Sequence, residues 1–194
     1  MAVTASTMLP LGTSAPGFRL PDTARRLVSS DDFAGSPGLL VMFLSNHCPY
    51  VKHVGEEVVR VAAEYEARGV AVVAIGSNDV AQQPEDGPAQ MARVAAEMGA
   101  TFPYLYDETQ DVAKAYHAAC TPDFFLFAAD RRLVYRGELD GARPGNGVPV
   151  TGRDLRAALD AVLAGAPVPE PQLPSSGCNI KWKPGNEPDY FTLH

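Results

Sequence analysis

Continuous apolar runs divide the chain into strands that are buried on both faces. One run of six apolar residues occupies 39–44 and another occupies 70–75, and both are too short for a helix. Strands covered on both faces show such runs, because neither face alternates with solvent. Between the two runs, apolar residues recur at helical spacing, at Val51, Val54, Val58, Val61 and Tyr65. The order strand, helix, strand predicts a right-handed βαβ unit with parallel strands.

The helix between these strands begins close to a cysteine. Polar Ser45 and Asn46 follow the first apolar run, and Asn46 is a residue type that caps helices by accepting a backbone N–H bond. Pro49 is tolerated in a first turn, where its missing N–H is no loss, and Gly69 is predicted to end the helix. Cys48 therefore lies at the helix N-terminus in this prediction.

The rest of the chain alternates between short apolar runs and helical spacing. We predict one domain over 1–165 and a proline-rich tail over 166–194 that packs on it, with Ile180 and Trp182 as candidates for contact with the core. The remaining elements are an N-terminal β-hairpin at about 9–30 with one helical turn at 30–33, a helix at 91–98, a strand at 102–106, a short helix at 110–117, a hairpin of strands at 124–127 and 133–135, and a helix that Thr151 caps and Gly165 ends.

Composition and charge exclude several classes of function. The 194 residues are 46% hydrophobic and 20% charged, which suits a globular chain with a sizeable core. The net charge of −7 argues against nucleic acid or an anionic membrane as a partner. No apolar run approaches the roughly 20 residues that cross a bilayer, and residues 1–13 lack the basic start and apolar stretch of a secretory signal. We therefore expect a cytoplasmic protein.

Three widely spaced cysteines, Cys48, Cys120 and Cys178, carry the candidate chemistry. They are too few for a disulfide framework and lack the paired spacing of a zinc site, so we expect neither a metal nor another cofactor. Backbone N–H groups and the helix dipole favour an anion at a helix N-terminus, which lowers a thiol pKa from about 8.5. Cys48 is therefore predicted to be a nucleophilic thiolate, with His47 and Lys52 close enough to stabilise its charge.

Each of these assignments has a structural alternative. Cys48 is also a residue type that packs as a small buried hydrophobe, since cysteines outside disulfides are among the most buried residues. Cys178 either folds back as a resolving thiol, which attacks an oxidised Cys48, or belongs to a segment that simply covers the core. His47 and Lys52 are also explained as ordinary surface residues.

Three motifs together resemble one known family. They are Asn46-His-Cys-Pro-Tyr, Thr121-Pro-Asp-Phe-Phe-Leu-Phe and Leu133-Val-Tyr-Arg-Gly137. Over roughly residues 10–165 the chain resembles the thioredoxin fold, and more narrowly the alkyl hydroperoxide reductase and thiol-specific antioxidant branch, the peroxiredoxin-like redoxins. The segment Gly177-Cys-Asn-Ile-Lys-Trp-Lys-Pro-Gly is similar to a subgroup that carries Asn-His-Cys-Pro-Tyr-Val. The resemblance implies an α/β fold with a central mixed sheet and helices on both faces.

The resemblance also implies roles for further residues. In this fold the loop before Pro122, a cis-proline in the family, lies against the active cysteine, so Cys120 becomes a candidate to resolve Cys48. Packing of Cys120 at the start of a strand remains the alternative. Ser45 stands where peroxiredoxins have a threonine, and it still offers a hydroxyl. The candidates for a substrate groove are Pro49, Tyr50, Thr121 and Pro122.

Departures from the family pattern bear on the activity. Val51 stands where thioredoxins have their second cysteine, and Met42 stands where they have a buried aspartate that acts in proton transfer. No arginine occurs at 118–127, where peroxiredoxins have one that stabilises the thiolate and the peroxide. The dithiol machinery of thioredoxins and part of the peroxidase machinery are thus missing from their usual positions.

Two hypotheses of different classes remain. The first is a thioredoxin-like oxidoreductase in which Cys48 attacks a disulfide or a hydroperoxide, Cys120 resolves the product, and an external dithiol such as a thioredoxin-type reductant completes the cycle. The second is a non-catalytic binding module that holds a partner peptide or thiol compound beside Pro122. A lowered pKa of Cys48 would favour the enzyme. The expected assembly is a monomer or a homodimer.

Overall fold

The structure is a computed structural model, and it describes residues 3–191. The described part contains ten strands and four α-helices. The strands are β1 (Val3–Ala5), β2 (Arg19–Pro21), β3 (Leu27–Ser29), β4 (Gly38–Phe43), β5 (Ala71–Gly76), β6 (Tyr104–Tyr106), β7 (Cys120–Thr121), β8 (Asp123–Ala128), β9 (Leu133–Gly137) and β10 (Ser176–Asn179). The helices are α1 (Pro49–Glu66), α2 (Pro88–Met98), α3 (Asp111–Ala115) and α4 (Arg153–Ala164), with 3₁₀ turns at Ser30–Phe33 and Pro84–Asp86.

Five strands form the central sheet, in the order β6-β5-β4-β8-β9. β4 pairs parallel with β5, as predicted for the βαβ unit, and antiparallel with β8. Side chains alternate across β4. Leu40 and Met42 enter a core cluster with residues of α1 and α4, whereas Val41 and Phe43 enter another with residues of α3. Helices therefore cover both faces of a mixed sheet, which confirms the predicted thioredoxin-like α/β fold.

Most other predicted elements are present, with ends that differ by a few residues. The N-terminal hairpin is confirmed, because β2 and β3 pair antiparallel within 9–30. The second hairpin is confirmed by the antiparallel pairing of β8 with β9. Helix α2 ends at Met98, the last residue of its predicted range, and α4 ends as predicted before Gly165. The C-cap residues Gly99 and Gly165 both adopt the left-handed conformation, which is open to glycine without strain.

The predicted cap of α1 is wrong. Cys48, not Asn46, is the N-cap residue, and its extended backbone leads directly into Pro49. Asn46 lies outside the helix, where its side-chain amide donates to the Glu85 carbonyl at 2.8 Å. The loop before α1 is thus held by the neighbouring 3₁₀ turn rather than by capping.

The predicted cap of α4 is also wrong. Gly152, with a φ of 66°, is the N-cap residue in place of Thr151. The backbone N–H groups of both residues donate to Asp140 Oδ2 at 2.6 Å. Because two consecutive backbone N–H groups donate to the same carboxylate oxygen, the chain turns sharply before α4. Glycine adopts the left-handed conformation of this turn without strain.

The C-terminal segment contains strand β10, which the sequence did not predict. β10 lies between β1 and β7 in a second, three-stranded sheet, and Cys178 is the register partner of Thr121. Gly177 packs so closely on β7 that a Cβ there would lie 2.0 Å from the Thr121 carbonyl oxygen. Ile180 and Trp182 are buried and extend the core.

The candidate site lies where the N-terminus of α1, β7 and β10 meet. Residues 1–2 of the predicted domain and 192–194 of the predicted tail lie outside the described residues. Within 3–191, no helix combines the length and the apolar character needed to cross a membrane.

Candidate active site

The N-terminus of α1 presents Cys48 to the second sheet. β4 brings the chain to this edge of the central sheet, and Cys48 caps the helix that follows. The backbone N–H groups of Val51 and Cys178 are directed at the Cys48 sulfur. The cysteine thus lies where helix amides stabilise an anion.

A second sulfur lies against Cys48. The Cys48 and Cys178 Sγ atoms are 2.8 Å apart, and Cys48 Sγ is 3.2 Å from the Thr121 carbonyl oxygen. Strand pairing positions Cys178, because it lies directly opposite Thr121 in the β10–β7 register. A disulfide bond is about 2.05 Å long, so the two sulfurs are in thiol contact and close enough to form one. Both cysteines are buried, with 0% of Cys48 and 2% of Cys178 exposed.

This contact lowers the pKa of Cys48 to about 5. The largest cause is the hydrogen bond with the Cys178 thiol. Burial opposes the shift, and the N–H groups of Val51 and Cys178 add to it. The same hydrogen bond, together with burial, raises the pKa of Cys178. At neutral pH one proton is therefore held by the pair, with Cys48 as the thiolate and Cys178 as the thiol.

The shared proton predicts a pH-dependent stability. The pKa of Cys48 is about 5 in the folded protein, below its unfolded value of about 8.5. Its stabilising contribution is therefore fully present above the unfolded pKa and is lost as the pH falls through the folded pKa. The raised pKa of Cys178 acts in the opposite sense, but only above about pH 8.5, where the unfolded thiol ionises.

Urea unfolding under reducing conditions measures this contribution. Between about pH 5.5 and about pH 8, we expect the free energy of unfolding to rise more in the wild-type protein than in Cys48→Ala. The other titrating groups are common to both proteins, so the difference between the two curves isolates the thiol pair. Parallel curves would contradict the lowered pKa.

Cys120 lies on the other face of β7. Its neighbour Thr121 is the register partner of Cys178, and successive strand residues point to opposite faces. The Cys120 sulfur contacts the Pro122 carbonyl oxygen at 3.9 Å, and burial raises the pKa of this thiol. Of the two thiols that the sequence offered as resolving residues, the structure brings Cys178 into contact with Cys48.

His47 is held by a buried carboxylate that the sequence did not single out. His47 Nδ1 is 2.6 Å from Asp86 Oδ2, and Asp86 also accepts bonds from the Asn46 backbone N–H at 2.5 Å and the Asn78 side chain at 2.8 Å. Burial raises the pKa of Asp86, but the His47 and Asn78 bonds outweigh it and the net shift is downward. Asp86 therefore fixes the loop that carries Cys48. Its own loop has no motif that could have shown this.

Ser45 and Lys52 differ in their relation to the thiols. Ser45 Oγ is 2.9 Å from Thr121 Oγ1, and this bond ties the chain after β4 to β7 beside the sulfur. The Lys52 side chain is exposed, and its backbone N–H donates to the Cys48 carbonyl at 3.0 Å. Ser45 thus supports the site directly, whereas Lys52 lies on the outer surface of α1.

A different lysine lies near the buried thiols. Lys181 is half-buried, and its Nζ donates to the Asn179 carbonyl at 2.8 Å. Burial is the largest influence on the pKa of Lys181 and lowers it, and the negative charge of the Cys178–Cys48 pair opposes this shift without cancelling it. Its position three residues after Cys178 was the one signal in the sequence that could have pointed to it.

The predicted groove residues surround a covered site. The Thr121–Pro122 peptide bond is cis, as the resemblance implied. Pro49 is exposed, Thr121 is buried, and half-buried Tyr50 lines a small cleft together with Pro122. Because β10 occupies the edge of β7 and Cys48 has no exposed surface, any molecule would have to displace part of this cover to reach the sulfur.

Two solved structures resemble this chain over nearly its whole length. One is an uncharacterized conserved protein from Geobacillus kaustophilus, 56% identical, with a TM-score of 0.93 over 95% of this chain and 98% of that chain. The other is a hypothetical protein from Sinorhizobium meliloti, 52% identical, with a TM-score of 0.92 over 93% of this chain and 98% of that chain. No curated protein with a matching sequence was found.

More distant matches connect the fold with redox proteins. A thiol:disulfide interchange protein of the thioredoxin family from Chlorobium tepidum is 18% identical, with a TM-score of 0.59 over 80% of this chain and 96% of that chain. At that identity the likeness concerns the fold. Residues 11–136, well over half of the chain, match the AhpC/TSA family. Together with a mixed sheet that carries a cysteine at a helix N-terminus beside a cis-proline, this match shows that the chain belongs to the AhpC/TSA family of thioredoxin-like redox proteins.

Proposed function

We propose that this protein is a dithiol oxidoreductase in which Cys48 is the nucleophile and Cys178 is the resolving thiol. The observation that carries the proposal is the 2.8 Å contact between their sulfur atoms. The sequence hypothesis gave the resolving role first to Cys120, and the position of Cys120 on the opposite face of β7 favours Cys178 instead. The lowered pKa of Cys48 favours an enzyme over a binding module, because a thiolate is the reactive form.

With a hydroperoxide, the Cys48 thiolate attacks the terminal oxygen and the O–O bond breaks. The alkoxide leaves, takes a proton from water and becomes the alcohol, while Cys48 becomes a sulfenic acid. The Cys178 sulfur then attacks the Cys48 sulfur, the S–O bond breaks, and hydroxide leaves with the Cys178 proton as water. The pair has given up two electrons and is joined by a disulfide.

With a disulfide substrate, the same pair performs thiol–disulfide exchange. Cys48 displaces one half of the substrate as a thiolate and forms a mixed disulfide. The Cys178 sulfur then attacks the Cys48 sulfur, the mixed disulfide bond breaks, and the other half leaves with the Cys178 proton as a thiol. An external dithiol, such as a thioredoxin-type reductant, returns both cysteines to their reduced state and is itself oxidised. The cytoplasm suits this cycle, because it keeps thiols reduced.

The surrounding residues support the pair in this proposal. Asp86 and His47 hold the loop before Cys48, and the Ser45–Thr121 bond holds that loop against β7. Pro49, Tyr50 and Pro122 provide the rim over which a substrate enters. Because Cys48 is fully buried, small oxidised compounds fit the site better than the disulfide of a folded protein.

Non-reducing peptide mapping tests the pairing. After a stoichiometric amount of hydrogen peroxide or diamide, we expect wild-type protein and Cys120→Ser to give one linked peptide that joins Cys48 to Cys178. Cys178→Ser removes the resolving sulfur, so peroxide should leave Cys48 as a sulfenic acid that dimedone traps. A Cys48–Cys120 link, or recovery of all three thiols unmodified, would refute the proposal.

A further inference from the structure

An apolar cavity that the thiol pair does not use lies between α1 and α2. Its volume is about 240 Å³. An apolar cavity of about 150 Å³ holds benzene, so this one has room for a larger organic group. The side chains that give the wall its apolar character include Val51, Val58, Val59, Ala95, Met98 and Phe102.

The cavity begins at the loop that carries the nucleophile. Ser45 and Asn46 line it, just before Cys48 in the chain. Val51 also lines it, and the backbone N–H of Val51 is directed at the Cys48 sulfur. From Val51 to Val59 the cavity follows α1 for about 12 Å of helix. A molecule inside it would therefore extend from the loop before Cys48 along the helix.

Gly55 keeps this space open. It lies in the interior of α1, where glycine weakens a helix relative to alanine, so the missing side chain calls for a packing reason. A Cβ at Gly55 would lie 2.8 Å from Met98 Cε. Met98 is 37% exposed at the end of α2, and its flexible thioether can adjust to a ligand.

The charges around the cavity favour an uncharged occupant. Lys52 and Glu56 contribute one charge of each sign to the lining. Both are exposed and lie one helical turn apart on α1, so their fields oppose each other at the cavity. The remaining lining residues carry no charge that would compensate an ion, whereas an alkyl or aryl group gains from leaving water.

We infer that this cavity binds the uncharged alkyl or aryl group of a small oxidised substrate and thereby places the reactive bond beside the Cys48 loop. The group is the same whether the oxidised bond is a disulfide or a hydroperoxide. Binding follows from the cavity alone, and the role in catalysis rests on the proposed function.

The binding test uses benzyl alcohol as an unreactive probe of the reduced protein. Titration followed by NMR of the methyl groups is expected to give saturable shifts at Val58, Val59 and Met98. Ala95→Phe fills the cavity and should weaken binding at least tenfold. The matched control is Ala96→Phe, because Ala96 is the next residue of α2, is exposed and does not line the cavity.

Two further measurements keep the cavity proposal testable if Ala95→Phe does not fold or if the proposed function is wrong. Met98→Trp narrows the cavity from a partly exposed position and should weaken benzyl alcohol binding even if Ala95→Phe does not fold. Turnover assays compare kcat/KM for a substrate with an aromatic group and for one without it. The first pair is a phenyl-substituted disulfide and hydroxyethyl disulfide, and the second is cumene hydroperoxide and hydrogen peroxide. In each pair, the preference for the aromatic substrate should be at least fivefold lower in Ala95→Phe than in Ala96→Phe. If only the ratio for the disulfides falls, the bound group belongs to a disulfide, and if only the ratio for the hydroperoxides falls, it belongs to a hydroperoxide.

The outcomes separate the two proposals. Turnover without saturable binding, or binding that Ala95→Phe and Met98→Trp leave unchanged, would overturn the cavity as a ligand site. Saturable binding with no turnover of any of these substrates would overturn the proposed function and leave the binding site standing.

Discussion

Replacing Cys178 by alanine is expected to abolish turnover and to move the pKa of Cys48 upward from about 5. The hydrogen bond with the Cys178 thiol is the largest cause of the lowered pKa, so its loss returns Cys48 toward the ordinary thiol value of about 8.5. Without a resolving sulfur, oxidised Cys48 is reduced only by reaction with an external thiol, which is slower than attack by a thiol in contact with it. We expect multiple-turnover rates to fall by about a hundredfold or more.

Cys178→Ser separates the two roles of this sulfur. A serine hydroxyl still donates a hydrogen bond to the thiolate but cannot form a disulfide. We therefore expect Cys178→Ser to keep the low pKa of Cys48 while losing turnover, and Cys178→Ala to lose both. The rate of iodoacetamide alkylation as a function of pH gives the pKa, and steady-state reduction of hydroperoxide or disulfide by an external dithiol gives the turnover.

The matched control is Cys120→Ser, which removes the third thiol of the chain. It should keep both the alkylation midpoint near pH 5 and the turnover rate, because Cys120 lies on the far face of β7. If Cys120→Ser lost turnover and Cys178→Ala retained it, the assignment of the resolving thiol would be reversed.

The position of Cys48 was predictable because it depends on local patterns. Two apolar runs and one helical stripe between them predict β4, α1 and β5, and Pro49 places the cysteine at the beginning of the helix. The exact cap was missed because Asn46 and Cys48 are both compatible with that start. Capping preference favoured Asn46, whereas the contacts with Glu85 and Asp86 hold Asn46 outside the helix.

The contact between Cys178 and Cys48 was not predictable from local patterns. Ser176-Gly-Cys-Asn has no apolar alternation, and β10 is held by backbone pairing with β1 and β7 rather than by a buried apolar face. The two sulfurs in contact are 130 residues apart in the chain. The sequence could show that Cys178 was available, but the contact depends on a strand register that forms only in the folded protein.

The contacts of Asp86 were also not predictable from the local sequence. Its loop, with Pro84 before it and Gly87 after it, indicates a turn and nothing more. In the fold this carboxylate is buried and binds the Asn46 backbone and the His47 ring. A buried carboxylate is recognised from the groups that donate hydrogen bonds to it. The donors to Asp86 at residues 46 and 47 lie about 40 residues earlier in the chain, so the sequence around Asp86 does not show them.

Gly177→Ala tests whether the β10–β7 register holds the two sulfurs together. A Cβ at Gly177 would lie 2.0 Å from the Thr121 carbonyl oxygen. Because this oxygen belongs to the backbone, no movement of a side chain can relieve the clash. β10 must therefore move away from β7 and take Cys178 with it. We expect the free energy of unfolding to fall by about 1–3 kcal/mol, which is the usual cost of overpacking.

Gly141→Ala is the control, because a Cβ there meets no atom within 4 Å and the backbone does not require glycine. Its stability should change by less than about 0.5 kcal/mol in urea titrations. In Gly177→Ala the alkylation midpoint of Cys48 should also rise, and peroxide should yield less of the Cys48–Cys178 disulfide, because the donor thiol has moved. A Gly177→Ala protein that lost stability but kept the low Cys48 pKa would show that this pKa does not depend on the contact with Cys178. The helix amides alone would then hold the thiolate, and β10 would be a cover rather than part of the site.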